Sequence, residues 1–213
     1  RVTVTCHKMK PGLMKAKKYT GEVVVADIGL PEKFEHFAGP GDVVAIMKPR
    51  SPEAHKGDFG RLLVVGGSEV FSGAPVLVAS AAYRAGVDLV HIAAPIRTAY
   101  AISSMSSDLI AVKLEGDHLN PHNVAQLDPY LEKSSAVAIG PGLGLHKETK
   151  EFVKETIKRI EGRGIPLLLD ADGLKAFAEF KHTLKVPLVL TPHAGEYVIL
   201  SGRKLSEDLL NKI

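Results

Sequence analysis

The chain has 213 residues, 45% hydrophobic and 24% charged, with a net charge of +3 and a pI of about 8.9, which is enough for one sizeable α/β domain with a core. The mild basicity suits an anionic small molecule, but without an Arg/Lys cluster interleaved with aromatics it gives nucleic-acid binding no support. Cys6 is the single cysteine, so a disulfide framework or a Cys-based zinc site is excluded, and the lack of a signal peptide or an apolar run of ~18 residues makes a cytoplasmic protein without a membrane partner the expectation.

The chain does not start with Met, and it opens in a strand-like run, Val2–Cys6, followed by a Lys/Gly-rich loop and a second run, Glu22–Ile28. Lys8, Lys10, Lys15, Lys17 and Lys18 read as a solvated face, and Cys6 as buried packing. Two strands cannot make a stable domain alone. Residues 39–54 read as a linker, punctuated by Gly39-Pro40-Gly41 and Lys48-Pro49-Arg50-Ser51-Pro52, with a short strand Val43–Met47 between them. Asp42 is then a turn residue, although Gly39-Pro40-Gly41-Asp42 has the form of a phosphotransferase base motif.

From residue 61 strands and helices alternate. Leu62–Val65, Leu89–Ala93, Leu109–Leu114, Ala136–Ile139, Pro166–Leu169 and Leu188–Leu190 are short apolar strands, and Ala74–Ala85 and Lys147–Glu161 are the clearest helices. This pattern predicts an α/β fold, a mostly parallel sheet with helices on both faces. Ligands bind such sheets at the carboxyl ends of the strands.

The residues after each strand are therefore the candidate site. Gly66-Gly67-Ser68 and Ser72-Gly73-Ala74 follow the first strand and open a helix, either as an anion cradle or as a turn capped by Ser72. Gly140-Pro141-Gly142-Leu143-Gly144 is a bare backbone loop that misses the dinucleotide fingerprint, because Leu145 holds its sixth position. Asp170 and Asp172 could hold Mg²⁺ through water or orient a hydroxyl, or Asp172 could cap the next helix. His193 and Glu196 share one face at a helix start, as ligand groups, a capping box or both. His55 and Lys56, before the first strand of this series, could reach a phosphate or form a polar loop.

In order along the chain, His55-Lys56-Gly57-Asp58-Phe59-Gly60, Gly66-Gly67-Ser68 with Phe71-Ser72-Gly73-Ala74-Pro75, Gly140–Gly144, Asp170-Ala171-Asp172-Gly173 and Thr191-Pro192-His193-Ala194-Gly195-Glu196 resemble the NAD(P)H-hydrate dehydratase family of the ribokinase-like superfamily. Val2-Thr3-Val4-Thr5, Lys10-Pro11-Gly12-Leu13 and Gly21–Pro31 resemble the last strands of the Rossmann-like NAD(P)H-hydrate epimerase domain. The resemblance implies three parts: residues 1–38 as the tail of the epimerase, 39–54 as linker, and 55–213 as the front of a dehydratase, incomplete at its C-terminus. The implied activity is a hydro-lyase reaction. The hydroxyl of hydrated NADH or NADPH is phosphorylated with ADP or ATP, assisted by Mg²⁺, and phosphate is eliminated to restore the cofactor.

By the same resemblance Ala74, Gly142, Gly144, His193 and Glu196 contact the hydrate, with Glu196 also at the metal or phosphate. His55, Lys56, Gly73, Gly140, Asp170 and Asp172 are secondary candidates. Thr5 matches a K⁺-binding position of the epimerase, and the catalytic base is expected beyond Ile213, so these 213 residues alone are expected to show no turnover. The implied partner is the small-molecule hydrate, and a homo-oligomer is expected. A ribokinase-type kinase of a vitamin or sugar alcohol is the alternative reading, and a catalytically dead binding fragment a third.

Overall fold

The computed structural model describes residues 1–31, 35, 37–47, 49–180 and 183–204. Residues 205–213, which the sequence assigns to the dehydratase part, lie outside the described residues. The chain divides into two compact units, Arg1–Ser51 and a second that begins at Pro52.

In the first unit β1 (Val2–Cys6) and β2 (Glu22–Ala26) pair in parallel, Val2 opposite Glu22 and Cys6 opposite Ala26. Parallel neighbours need a crossover, supplied by the short helices α1 (Pro11–Lys15) and α2 (Lys17–Thr20). Thr3 Oγ1 donates to the Thr20 carbonyl at 2.8 Å, and Thr5 and Thr20 are buried. The threonine face of β1 is thus turned toward α2. Val2, Val4 and Cys6 share the opposite face of the strand and are exposed. The expected burial of Cys6 is therefore incorrect, because strand alternation places it on the uncovered face. The five lysines are exposed, as predicted. β2 stops at Ala26 because the Asp27 carboxylate accepts the Gly29 N–H at 2.8 Å and turns the chain.

The predicted strand Val43–Met47 is also incorrect. Residues Pro40–Ile46 form a helix, α3. Pro40 sits at its first position, where a missing N–H costs nothing, and the Asp42 carboxylate accepts the Gly39 N–H at 2.7 Å. Asp42 is a first-turn helix residue, not a loop residue.

The second unit is a six-stranded sheet, every adjacent pair parallel, in the order β5-β4-β3-β6-β7-β8. The strands are β3 (Arg61–Val65), β4 (Leu89–Pro95), β5 (Ile110–Leu114), β6 (Ala136–Ile139), β7 (Leu167–Leu169) and β8 (Leu188–Leu190). The helices are α4 (Gly73–Arg84), α5 (Ile96–Ser103), α6 (Asp128–Leu131), α7 (Lys147–Gly162), α8 (Asp172–Phe180) and α9 (Ala194–Ser201). Alternation along the strands feeds two cores. Leu63, Val65, Val137 and Ile139 join Phe152, Val153, Ile157 and Ile160 of α7 in one layer; Val64, Val90 and Ile92 join Ala79 of α4 and Ala99 and Ile102 of α5 in the other. Phe152 is fully buried and contributes on the order of 3 kcal/mol by its burial. The α/β expectation of helices on both faces is met. Among the described residues, no helix is long and apolar enough to cross a membrane.

β3, β4 and β5 run outward in one direction and β6, β7 and β8 in the other, so the strand order reverses between β3 and β6. That reversal opens a crevice at the carboxyl ends of these two strands, where doubly wound sheets bind ligands.

His91 lies in β4 away from that crevice, its ring 5.4 Å from the Tyr130 ring. Burial, and then the charges of Arg61, Lys133 and Lys56, hold its pKa below the ordinary 6.5. The unfolded chain therefore binds a proton here before the folded one does, so stability falls as pH drops through 6.5. A His91→Gln variant is expected to lose less stability than the parent between about pH 7 and 5 in urea melts; identical pH slopes would refute this account.

Candidate functional site

At the switch point the loop after β3 meets the loop after β6. The Gly67 N–H donates to the Pro141 carbonyl at 2.9 Å, joining the two loops by backbone alone. Gly142 has φ 67°, and a Cβ there would lie 2.8 Å from Phe71 Cβ and 3.4 Å from Ala74 Cβ. Ala74, in the first turn of α4, is thus packed directly over Gly142. Ser72 precedes α4 with no side-chain hydrogen bond to the helix, so the capping role open to it in the sequence is absent. Gly73 is the first residue of that helix. Ser68 is buried, its carbonyl held by Thr98 Oγ1 at 2.8 Å and its Oγ accepting the Phe71 N–H at 3.3 Å.

Between the loops lies an open cavity of about 290 Å³, lined by Ser68, Glu69, Val70, Phe71, Gly144, Leu145 and His146. Of these the sequence singled out Gly144 as a hydrate contact and Ser68 as part of a possible anion cradle, but not Glu69, Val70, Leu145 or His146. His146 Nε2 lies 3.5 Å from Glu69 Oε1, and its ring stacks on His118 at 4.4 Å with 11° between the planes. Glu69 and His146 follow the two glycine clusters by two residues each, which is the signal by which they could have been found.

The next two strand ends close one side of the site. After β7, Ala171 takes a left-handed φ of 48°, uncommon for a residue with a Cβ. The carbonyl of Asp170 packs against Gly140, which has φ 135° and where any Cβ would overlap that oxygen. The Asp170 carboxylate accepts Thr191 Oγ1 at 2.8 Å. Asp172 does not act as a cap; one of its oxygens accepts the Gly144 N–H at 3.0 Å and the other pairs with Lys175 Nζ at 2.8 Å. That hydrogen bond, with the charges of Asp172 and Glu196 adding to it against partial burial, raises the Lys175 pKa.

After β8, His193 is the N-cap of α9. Its Nδ1 accepts the Gly195 N–H at 3.0 Å and the Glu196 N–H at 3.4 Å, while Glu196 Oε2 accepts the His193 N–H at 3.0 Å. The predicted capping box is present. An Nδ1 that accepts places the neutral ring's proton on Nε2, which lies 3.3 Å from Glu196 Oε1. The Glu196 side chain is 5% exposed and that of His193 is 70% exposed, so the pair offers a ring to solvent above an inward carboxylate.

His55 and Lys56 are not brought to this edge. Both are exposed in the loop that leads into β3, at the amino ends of the strands, where Gly57 and Phe59 donate their N–H groups to Asp88 at 3.0 Å each. Among the described residues no group of three or more His, Cys, Asp or Glu side chains is placed to hold a metal ion.

An all-parallel sheet covered on both faces, with bare loops on either side of its order reversal, defines a doubly wound α/β protein. Solved structures of the same fold include a ribokinase-like superfamily protein from Enterococcus faecalis, 22% identical with a TM-score of 0.67 over 79% of this chain and 58% of that one. They also include the ADP/ATP-dependent NAD(P)H-hydrate dehydratase from Bacillus subtilis co-crystallised with ATP and Mg²⁺, 24% identical with a TM-score of 0.58 over 77% of this chain and 55% of that one. The chain belongs to the NAD(P)H-hydrate dehydratase family, whose model matches residues 62–212. It is 45% identical to the bifunctional NAD(P)H-hydrate repair enzyme Nnr of Pyrobaculum aerophilum, over 100% of this chain and 42% of that protein, and 44% identical to the enzyme of the same name from Hyperthermus butylicus, over 96% and 38%. The chain therefore spans about two fifths of the length of these relatives.

Proposed function

We propose that the second unit binds hydrated NADH or NADPH at the crevice between β3 and β6 and serves its nucleotide-dependent dehydration. The observation that carries this reading is the contact of Ala74 with Gly142 at the strand-order reversal, beside a cavity walled by Val70, Phe71 and Leu145. Bare backbone and an uncapped helix start suit an anionic dinucleotide, and the apolar walls suit its flat ring. Gly142, Gly144, Ala74 and His193 contact the hydrate in this reading, with Gly73 and Gly140 shaping the loops, and the base that takes the hydroxyl proton lies outside the described residues.

Glu196 fits Mg²⁺ of a kind held largely by nucleotide phosphates and water, for which one or two protein carboxylates suffice: it is buried, turned inward and retains lone pairs beyond those its His193 contacts use. When bound, Mg²⁺ and ADP or ATP supply the phosphoryl group and neutralise its charge. The protein's own part is to fix the hydrate between the two loops and hold water out.

Residues 1–38 are read as the tail of an epimerase domain. In support, the match to the bifunctional relative runs through them, whereas the dehydratase model begins at residue 62. The K⁺ assignment to Thr5 does not fit this unit. Thr5 Oγ1 donates to the Lys8 carbonyl at 3.4 Å, and Lys10 Nζ already sits on the carbonyls of Cys6 and Lys8. A second cation on those oxygens would meet the ammonium. A nicotinamide substrate and a single unpaired cysteine suit a cytoplasmic enzyme.

The test is to incubate the full-length protein that carries the base with NADPH hydrate, Mg²⁺ and either ADP or ATP, and follow the near-ultraviolet absorbance of reduced nicotinamide. Nucleotide-dependent recovery is expected. Phosphorylation of a vitamin or sugar alcohol with no recovery of cofactor would replace this reading with that of a small-molecule kinase.

A further inference from the structure

Asp172 reads from sequence as a ligand for a metal or a hydroxyl, yet both of its oxygens are engaged by the protein. Oδ2 accepts the Gly144 N–H at 3.0 Å and Oδ1 accepts Lys175 Nζ at 2.8 Å, with the side chain 15% exposed. Gly144 lines the cavity, whereas Asp172 does not. Gly144 also ends a loop with three glycines in five residues, which has little conformational preference of its own. Resting on the substrate assignment above, we infer that Asp172 is a positioning residue: through Gly144 it sets where the hydrate-binding loop stands.

Three features support this role. The bond is charge-assisted and so about twice as strong as one between neutral groups. Lys175, one turn along α8, fixes the carboxylate from its other side and is kept protonated by it. The strained Ala171 turn delivers Asp172 to this place and ties it to the rest of the site. Gly173 N–H donates to the Asp170 carbonyl at 3.0 Å, and the Asp170 carboxylate holds Thr191, two residues before His193. A single turn thereby spaces the Gly140–Gly144 loop from the His193–Glu196 cap.

The experiment introduces Asp172→Ala and Asp172→Asn into the full-length protein that carries the base and compares them with the parent, by steady-state kinetics with NADPH hydrate and by deuterium exchange of the 140–146 segment. For Asp172→Ala, KM for the hydrate is expected to rise about tenfold or more, with kcat changed far less, because the loop is misplaced rather than the chemistry removed. Exchange in 140–146 is expected to quicken while the core helix α7 stays protected. Asp172→Asn keeps an acceptor for Gly144 and is expected to recover most of both effects. Unchanged KM and exchange in Asp172→Ala would overturn the inference, as would exchange that quickens throughout the unit in both variants, the mark of a merely structural residue. If the parent itself neither binds nor turns over the hydrate, the substrate reading fails separately. Local exchange in 140–146 then decides the role of Asp172 alone: faster in the alanine variant and not in the asparagine variant upholds it, and no change overturns it.

Discussion

Gly140→Ala is expected to destabilise the second unit by roughly 3–5 kcal/mol, the sum of a disfavoured backbone conformation and a steric overlap. The φ of 135° at Gly140 is one that residues with a Cβ rarely adopt, and the added methyl group would collide with the Asp170 carbonyl. That carbonyl cannot retreat easily: Asp170 N–H donates to the Ile139 carbonyl at 3.1 Å, and its own oxygen accepts Gly173 N–H. Gly164 is the control. It also has a left-handed φ, 69°, but open space where a Cβ would go, so Gly164→Ala is expected to cost only about 1 kcal/mol. Urea melts of the two variants measure the difference, and equal losses would show that backbone strain alone, not the close approach of the two strand ends, accounts for Gly140.

His193→Ala is expected to lower hydrate affinity by about tenfold or more. The same change removes the α9 cap, worth about 1 kcal/mol. His193→Asn separates the two effects, because Asn restores a capping acceptor without the ring. The asparagine variant is expected to regain the melting temperature but not the affinity, as read by calorimetric titration with NADPH hydrate. Parent-like affinity in both variants would remove His193 from the binding site and leave it as a cap alone.

The parallel sheet was legible in the sequence because its strands are short apolar runs, of which β3, β6, β7 and β8 are followed directly by Gly, Asp or Thr-Pro, and buried parallel strands read as such runs. Its boundaries shifted by a residue or two, as at β3, where Arg61 joins the strand by pairing with Leu89, a partner that local sequence does not reveal. The capping box of His193 and Glu196 was legible for the opposite reason, since a cap is a contact between near neighbours. Contacts between distant strand ends were not. Nothing near residue 172 says that its carboxylate will meet Gly144, and nothing near residues 69 or 146 says that the two share one cavity. Residues 40–46 misled because Val43 and Val44 favour strands, whereas Pro40 and Asp42, acting on the first turn, favour a helix and, among the described residues, met no neighbouring strand to overrule them.

The bond from Gly67 N–H to the Pro141 carbonyl has a consequence for how this crevice changes over generations. The joint depends on the absence of side chains at its glycines, since a Cβ at Gly66 would overlap the Pro141 carbonyl oxygen, but on no particular side chain elsewhere, so substitutions outside those glycines leave the frame standing. Drift is then free to act on the wall residues Glu69, Val70, Leu145 and His146. The same separation suits directed evolution: a library at those four positions varies what the crevice accepts while its architecture is inherited intact.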